Sequence, residues 1–259
     1  MGDRVMRAGA TGGHEPGRPV VAYGNSLGTT ASMWNPLLKA AGEDFGAITY
    51  ELPGHGIDTE HGAPESFDDL VRASEELLLR EAQEPVVYCG VSLGGAIGVR
   101  LAADHPELIR ALVVVNAPMA QPSPAFWHDR AEAVGASGLD PLATVLHERW
   151  FSESADTYVV EAVRRDFRSL PVAGYAAACR AIADLDVREA AGRVRVPAVV
   201  LSADGDLAVD PSNSAALAEA MPQAALRRVS GAHLLPAENP AEVLAAIHLA
   251  IDLSEEPQS

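Results

Sequence analysis

The stretch Val86-Val87-Tyr88-Cys89-Gly90-Val91-Ser92-Leu93-Gly94-Gly95 decides the fold. Its first four residues are rich in β-formers and read as a buried strand. Ala96 to Ala103 reads as the helix that follows. Between the two, Gly90-x-Ser92-x-Gly94 predicts a sharp strand-to-helix turn, whose flanking positions have little room and suit glycine. Such a turn lifts Ser92 above the sheet edge with its hydroxyl exposed. It also sets the Leu93 amide at a helix N-terminus, where an oxyanion is favoured. The bare pattern arises by chance in many chains. The strand before it and the helix after it make Ser92 a candidate nucleophile rather than a residue of a structural turn.

Upstream, Val20-Val21-Ala22-Tyr23 reads as a strand that runs into the small-residue loop Gly24-Asn25-Ser26-Leu27-Gly28-Thr29-Thr30. A loop placed there can aim a backbone amide at the space above Ser92. Leu27 is the candidate for that second oxyanion donor, beside Leu93, against the plainer reading of an ordinary βα loop. Ser32 is the expected cap of a helix carrying Trp34, Leu37 and Leu38. Ala47-Ile48-Thr49-Tyr50 is the next strand, and Glu51-Leu52-Pro53-Gly54-His55-Gly56 a tight turn. His55 lies between glycines and early in the chain, which favours a structural role over that of a base. Ser66 is expected to cap a helix from Phe67 to Glu81. The first nineteen residues are Gly-rich and polar; at most Arg4 to Ala8 would pair as an edge strand.

Downstream, Ala111 to Val115 is a strand, and then the alternation stops. From Pro118 to about Arg193 the pattern is helical, broken at Gly135, Gly138, Pro141, Pro171 and Gly174, with Phe126, Trp127, Trp150, Phe151, Tyr158, Phe167 and Tyr175 spread along it. A helical insert in an α/β chain reads as a lid over the carboxyl edge of the sheet, with some of its aromatics facing a pocket. Strand rhythm returns at Pro197 to Ser202 and Ala225 to Val229, with helices at Asn213 to Ala220 and Pro240 to Ile251. The division is a core of residues 1–117 and 194–259 with a lid at 118–193.

A nucleophilic serine needs a base, and the base an orienting carboxylate, both on loops after later strands in the order Ser, acid, His. His233, in Ser230-Gly231-Ala232-His233, follows a strand and a small-residue turn. Asp206 and Asp204 compete for the acid; the position further past the strand end favours Asp206. No cluster has metal-ligand spacing, and no phosphate-binding or dinucleotide fingerprint occurs, so the chemistry is expected to need no metal and no cofactor.

Composition narrows the partners. Lys and Arg number 19 against 36 Asp and Glu, a net charge of −17. That surface disfavours nucleic acid and anionic membranes and leaves a small molecule as the expected partner. An anionic substrate would then need local arginines. Cys89 and Cys179, the only two cysteines, read as small buried apolar residues rather than a disulfide. The start lacks an apolar core of signal-peptide length and no run reaches membrane-span length, so a cytoplasmic location is the default.

With these residues in hand, the chain resembles the α/β-hydrolase superfamily over nearly its whole length, and within it the 3-oxoadipate enol-lactonases of the β-ketoadipate pathway. The matching segments are Asn25 to Thr29 with Met33-Trp34, Cys89 to Gly95, Trp127-His128-Asp129-Arg130, Arg149-Trp150-Phe151, Gly174 to Asp186, and Gly231 to Leu234. The lid segments are the more specific, because lids vary most between subfamilies. The chain departs from the family's Asp-x-Arg-Gly-His-Gly turn, with Pro53 in place of the arginine, and in Leu235-Pro236-Ala237-Glu238 after His233. The resemblance implies an α/β-hydrolase fold, a mostly parallel twisted sheet flanked by helices with an inserted helical lid. It also implies ring opening of a carboxylated enol-lactone by Ser92, Asp206 and His233. Trp127 and Arg130 would bind the substrate, Arg130 at its carboxylate unless it pairs instead with Glu132 or Asp129. A carboxylesterase, a C–C hydrolase or a perhydrolase on the same scaffold stays open, as does a small-molecule sensor with a vestigial triad.

Overall fold

The computed structural model describes residues 8–11, 18–55 and 63–256. Seven strands form one sheet in the order β1-β3-β2-β4-β5-β6-β7. They are Ala8–Thr11 (β1), Val20–Gly24 (β2), Gly46–Tyr50 (β3), Val86–Val91 (β4), Ile109–Val115 (β5), Ala198–Ala203 (β6) and Ala224–Val229 (β7). β1 runs antiparallel to β3, and every other pair is parallel. All six residues of β4 are buried, and Cys89 at its middle lies between Tyr23 of β2 and Val113 of β5. Strands covered on both faces can be apolar throughout, which is why β4, β5 and β6 read as continuous hydrophobic runs.

Helices cover the two faces. Pro240–Glu255 (α11) packs on β4, β5 and β6, with Asn35–Ala41 (α1) and the short Leu235–Glu238 (α10) against it. Phe67–Glu81 (α2), Leu93–Asp104 (α3), Arg188–Arg193 (α8) and Ser212–Ala220 (α9) form a row in which each touches the next. Between β5 and α8 come Pro124–Ser137 (α4), Asp140–Trp150 (α5), Thr157–Ser169 (α6) and Val172–Ala181 (α7). α4 packs chiefly on α7, and α5 on α6. α8 packs on α3 and α9, so the helical layer beside the sheet resumes at Arg188, inside the span expected to be lid.

The chain leaves β2 for β3 on one side, then crosses to β4 and proceeds to β5 on the other. The reversal between β2 and β4 opens a crevice at their carboxyl ends, the usual place for a ligand in an open α/β sheet. Both the Asn25 to Thr29 loop and the Ser92 turn emerge there.

Most expected elements appear within a residue or two; α11 runs on to Glu255, four residues past the expected Ile251, and three features differ in kind. α3 starts at Leu93, directly after Ser92, rather than at Ala96. Ser32 caps nothing. It lies inside a 3-10 turn, Ala31–Trp34, and its hydroxyl donates to Asp166 on α6, tying the core to the inserted helices. Gly135 and Gly174 lie inside helices instead of breaking them. By contrast Ser66 caps α2 as expected: its hydroxyl accepts from Asp69 N at 3.2 Å and Asp69 Oδ2 accepts from Ser66 N at 3.1 Å. The expected edge pairing at Arg4 to Arg7 and the residue Gly56 lie outside the described residues. Cys89 and Cys179 are both free and buried.

Candidate active site

Ser92 leaves β4 with φ 54° and ψ −115°, a positive φ that a side-chain-bearing residue rarely adopts. Holding it there costs about 1–3 kcal/mol, which the surroundings supply. Ser92 N donates to Val115 O at 2.9 Å, and Ala96 N closes the first helical turn on Ser92 O at 3.0 Å. α3 then presses its start against β2: a Cβ on Gly94 would lie 2.1 Å from the Gly24 carbonyl oxygen. Glycine is required there by backbone contact. The Leu93 N–H belongs to the first turn of α3, whose amides have no carbonyl behind them.

Asp206 and His233 come from the loops after β6 and β7 and meet in the interior. Their side chains are 1% and 3% exposed, and His233 Nδ1–H donates to Asp206 Oδ2 at 2.8 Å. The other carboxylate oxygen accepts from Ala208 N at 2.7 Å and Val209 N at 3.0 Å, which fixes the carboxylate plane. A proton on Nδ1 leaves Nε2 of a neutral imidazole as a free acceptor. Nε2 lies 3.5 Å from the Ser26 hydroxyl. Ser92 and His233 line the same cavity, and among the described residues their side chains are not hydrogen bonded to each other. Catalytic bonds of this kind often tighten only with substrate in place. Asp204 is exposed, and its backbone N–H serves the sheet by donating to Val229 O.

Asn116 escaped the sequence reading. It follows β5 directly, is buried, and has φ 49°. Its amide donates to Ala232 O and His233 O, each at 3.0 Å, while its oxygen accepts from Ala203 N at 2.8 Å. One side chain thus joins the ends of β5 and β6 to the histidine loop. The signal, an asparagine directly after an apolar strand, was there in the sequence and carries little by itself.

On the other side of Ser92, Ser26 to Thr29 form a turn closed by Thr29 N and Thr29 Oγ1, which donate to Ser26 O at 3.1 and 2.8 Å. Asn25 anchors it, donating to Tyr50 O and accepting from Trp34 Nε1, both at 2.8 Å. Leu27 and Leu93 both line the cavity. His55 does not line it; it is buried behind this turn.

The cavity measures about 560 Å³. Its floor is Ser26, Leu27, Ser92, Leu93 and His233. Its roof comes from α4, α5 and α7: Phe126, Trp127, Arg130, Leu146, Arg149, Trp150 and Tyr175. Of the other aromatics, Phe151 and Phe167 are buried among the inserted helices, and Tyr158 is 82% exposed. The Arg130 guanidinium sits 4.6 Å from the Phe126 ring centre and 5.0 Å from that of Trp127, positions that attract a cation. It also stands beside Tyr175 and Cys179, where its charge opposes the burial that pushes both groups up, the Cys179 thiol to about 11. No carboxylate pairs with Arg130 among the described residues, Asp129 and Glu132 included. Arg149 is spent otherwise: its Nε and one terminal nitrogen donate to Leu207 O at 2.8 and 2.6 Å. Trp150 O accepts from Leu234 N at 3.1 Å, so the end of α5 holds both the acid and histidine loops.

Among the described residues, no group of three or more His, Cys, Asp and Glu is placed to hold a metal ion. None of the described helices is long and apolar enough to cross a membrane.

Known proteins resemble this chain in sequence and in fold. The Alpha/beta hydrolase family matches residues 16–247. A 3-oxoadipate enol-lactonase of Acinetobacter baylyi is 29% identical over 226 residues, spanning 86% of this chain and 85% of that one. An (E)-2-((N-methylformamido)methylene)succinate hydrolase of the same organism is 29% identical over 195 residues, 73% of each chain. The crystal structure of an enol-lactonase from Burkholderia xenovorans superposes with a TM-score of 0.86 at 29% identity, covering 97% of this chain and 96% of that one.

Proposed function

Because the chain belongs to the alpha/beta hydrolase family, we propose that it is a serine hydrolase opening a small carboxylated lactone, 3-oxoadipate enol-lactone to 3-oxoadipate. The observation that carries this reading is the buried Asp206–His233 pair beside Ser92, beneath a roof whose Arg130 pairs with no carboxylate among the described residues. The two enol-lactonase likenesses support the substrate, and the succinate-derived substrate in the other relative's name supports an anionic one.

In this mechanism the Ser92 hydroxyl gives its proton to His233 Nε2 as Oγ bonds to the lactone carbonyl carbon. The oxyanion is held by the N–H groups of Leu27 and Leu93. Collapse breaks the ring C–O bond, the leaving enol oxygen takes the proton from His233 Nε2, and the enol tautomerises to a ketone, which makes reclosure unfavourable. Asp206 steadies the imidazolium throughout. His233, neutral again, takes a proton from water as the water oxygen bonds to the acyl-enzyme carbonyl carbon, and the second collapse breaks the bond to Ser92 Oγ, which takes that proton back from His233. Arg130 grips the substrate carboxylate over the Trp127 face, and the inserted helices α4 to α7 act as the lid. The reaction needs no cofactor, and we place it in the cytoplasm, with a small molecule as the partner.

Purified protein should be assayed spectrophotometrically against enol-lactones, p-nitrophenyl esters of graded length and an N-formyl enamine. Loss of lactone absorbance with a clear preference over the neutral esters is the expected result. Preference for an unrelated ester or for the amide would replace this substrate while keeping the serine mechanism.

A further inference from the structure

His55 is a buried titratable group that the mechanism above leaves unused. Its ring Nε2 accepts the backbone N–H of Gly28 at 3.1 Å. Gly28 is the third residue of the turn Ser26 to Thr29, and its φ of 81° is what a type II turn needs at that position. The N–H that His55 holds therefore belongs to the central peptide of the turn, the one that rotates when such a turn changes type. Leu27 supplies the other half of that peptide, so its ψ is set with it, and with its ψ the shape of the turn that carries the Leu27 N–H.

The second face of His55 meets the lid. Its ring centre is 6.2 Å from that of Tyr175, which lines the cavity. The turn behind it touches α7 backbone to backbone: a Cβ on Gly174 would lie 1.9 Å from the Gly54 carbonyl oxygen. The imidazole is thus wedged between the Leu27–Gly28 peptide and a roof helix. Its Nδ1 falls short of a hydrogen bond, with the Pro53 backbone as its polar neighbour.

We infer that His55 is a positioning residue, a neutral acceptor that holds the Leu27–Gly28 peptide and thereby the type II shape of the turn that presents the Leu27 amide to the oxyanion. This rests on the serine-hydrolase reading above. Accepting a backbone N–H requires Nε2 to be unprotonated. Burial favours that state, pulling the imidazole down to about 4 against the Pro53 backbone. A residue acting only as filler would be replaceable by any apolar side chain of its size. A positioning acceptor is replaceable only by one that places a lone pair at the same point. Glutamine does this, because its amide oxygen lies as far from Cβ as imidazole Nε2. Asparagine is too short, and leucine offers no acceptor.

The test compares wild type, His55→Gln, His55→Leu and His55→Asn. A neutral p-nitrophenyl ester reports kcat and KM, and NMR hydrogen exchange reports the Gly28 amide. Both His55→Leu and His55→Asn should lower kcat about 10- to 100-fold, the scale of a misplaced oxyanion donor, and should speed Gly28 exchange. KM should stay within about twofold, since ground-state binding is untouched. His55→Gln should restore both readouts. If His55→Leu does not fold, the contrast of Gln with Asn decides alone. Equal kcat in Leu and wild type, or Gln no better than Asn, overturns the inference. Should wild type turn over neither ester nor lactone, the hydrolase reading fails; Gly28 exchange then judges His55 by itself, and unchanged protection in the Leu and Asn variants overturns its role.

Discussion

Ser92 sits where two backbones touch, Gly94 against Gly24, whereas Arg130 faces it from an inserted helix with aromatic faces, a phenol and a thiol for company. The floor of the cavity is made of main chain, turns and a histidine hydrogen bonded to a buried carboxylate. Its roof is made of side chains on helices that pack mostly on each other. A floor set by backbone contacts has little freedom to vary. A roof built from side chains can change the ligand without disturbing the chemistry. The division assigns catalysis to the floor and selectivity to the roof, and each half can be broken separately.

The largest effect should come from the floor. Ser92→Ala should reduce turnover of every substrate by on the order of 10³-fold or more, with a melting temperature unchanged or slightly raised. Alanine keeps the strained φ and loses only a half-buried hydroxyl at the cavity wall. Retained activity within about tenfold of wild type would remove Ser92 as nucleophile. Asp206→Asn should follow, with a loss of about 10²- to 10⁴-fold in kcat, because an amide facing Nδ1 no longer fixes the tautomer or supports the cation. Asp204→Asn is the control: the side chain is exposed and its backbone contact survives, so turnover should stay near wild type. A severe Asp204 variant would transfer the acid role.

These floor residues were readable in the sequence for a physical reason. A strand-to-helix turn with no room for Cβ demands glycine at fixed spacing, and the order Ser, acid, His follows from loops at one edge of a parallel sheet. The alternation of strands and helices was legible too, because strands covered on both faces read as continuous apolar runs. What the sequence hid was long-range hydrogen bonding. Ser32 carried the signature of a cap and instead reaches Asp166 on α6, 134 residues away. Asn116 holds the histidine loop across 117 residues, and no local pattern announces it. In the roof, Trp127 and Arg130 were named from resemblance and do line the cavity. Tyr175 and Arg149 line it too, and nothing in helical spacing separates a cavity-facing aromatic from a lid-core one such as Phe167.

Arg130→Ala tests the roof's share. A guanidinium partly shielded from water holds a carboxylate with roughly 1.5–3 kcal/mol, so kcat/KM for the carboxylated lactone should fall about 10- to 100-fold. Turnover of a neutral ester should hardly change, as it offers no charge to hold. Equal losses on both would mean a disturbed lid, and no loss on either would end the assignment of Arg130 to the substrate.

The second arginine of the roof sharpens the comparison, because it should behave like a floor residue. Arg149 lines the same cavity as Arg130, yet two of its N–H groups already bind the Leu207 carbonyl. Leu207 directly follows Asp206, whose carboxylate accepts from Ala208 and Val209 on the same loop. Removing the clamp frees this loop, not the ligand. The contact is partly exposed, so its net worth is about 0.5–1.5 kcal/mol, or roughly 2- to 13-fold in rate. Arg149→Ala should therefore lower kcat by that amount on the lactone and the neutral ester alike. Arg149→Lys should recover little, since an ammonium cannot present two parallel N–H groups to one carbonyl as the guanidinium does. A loss confined to the carboxylated lactone would instead make Arg149 a second substrate cation, and the division between floor and roof would then run between residues of the roof itself.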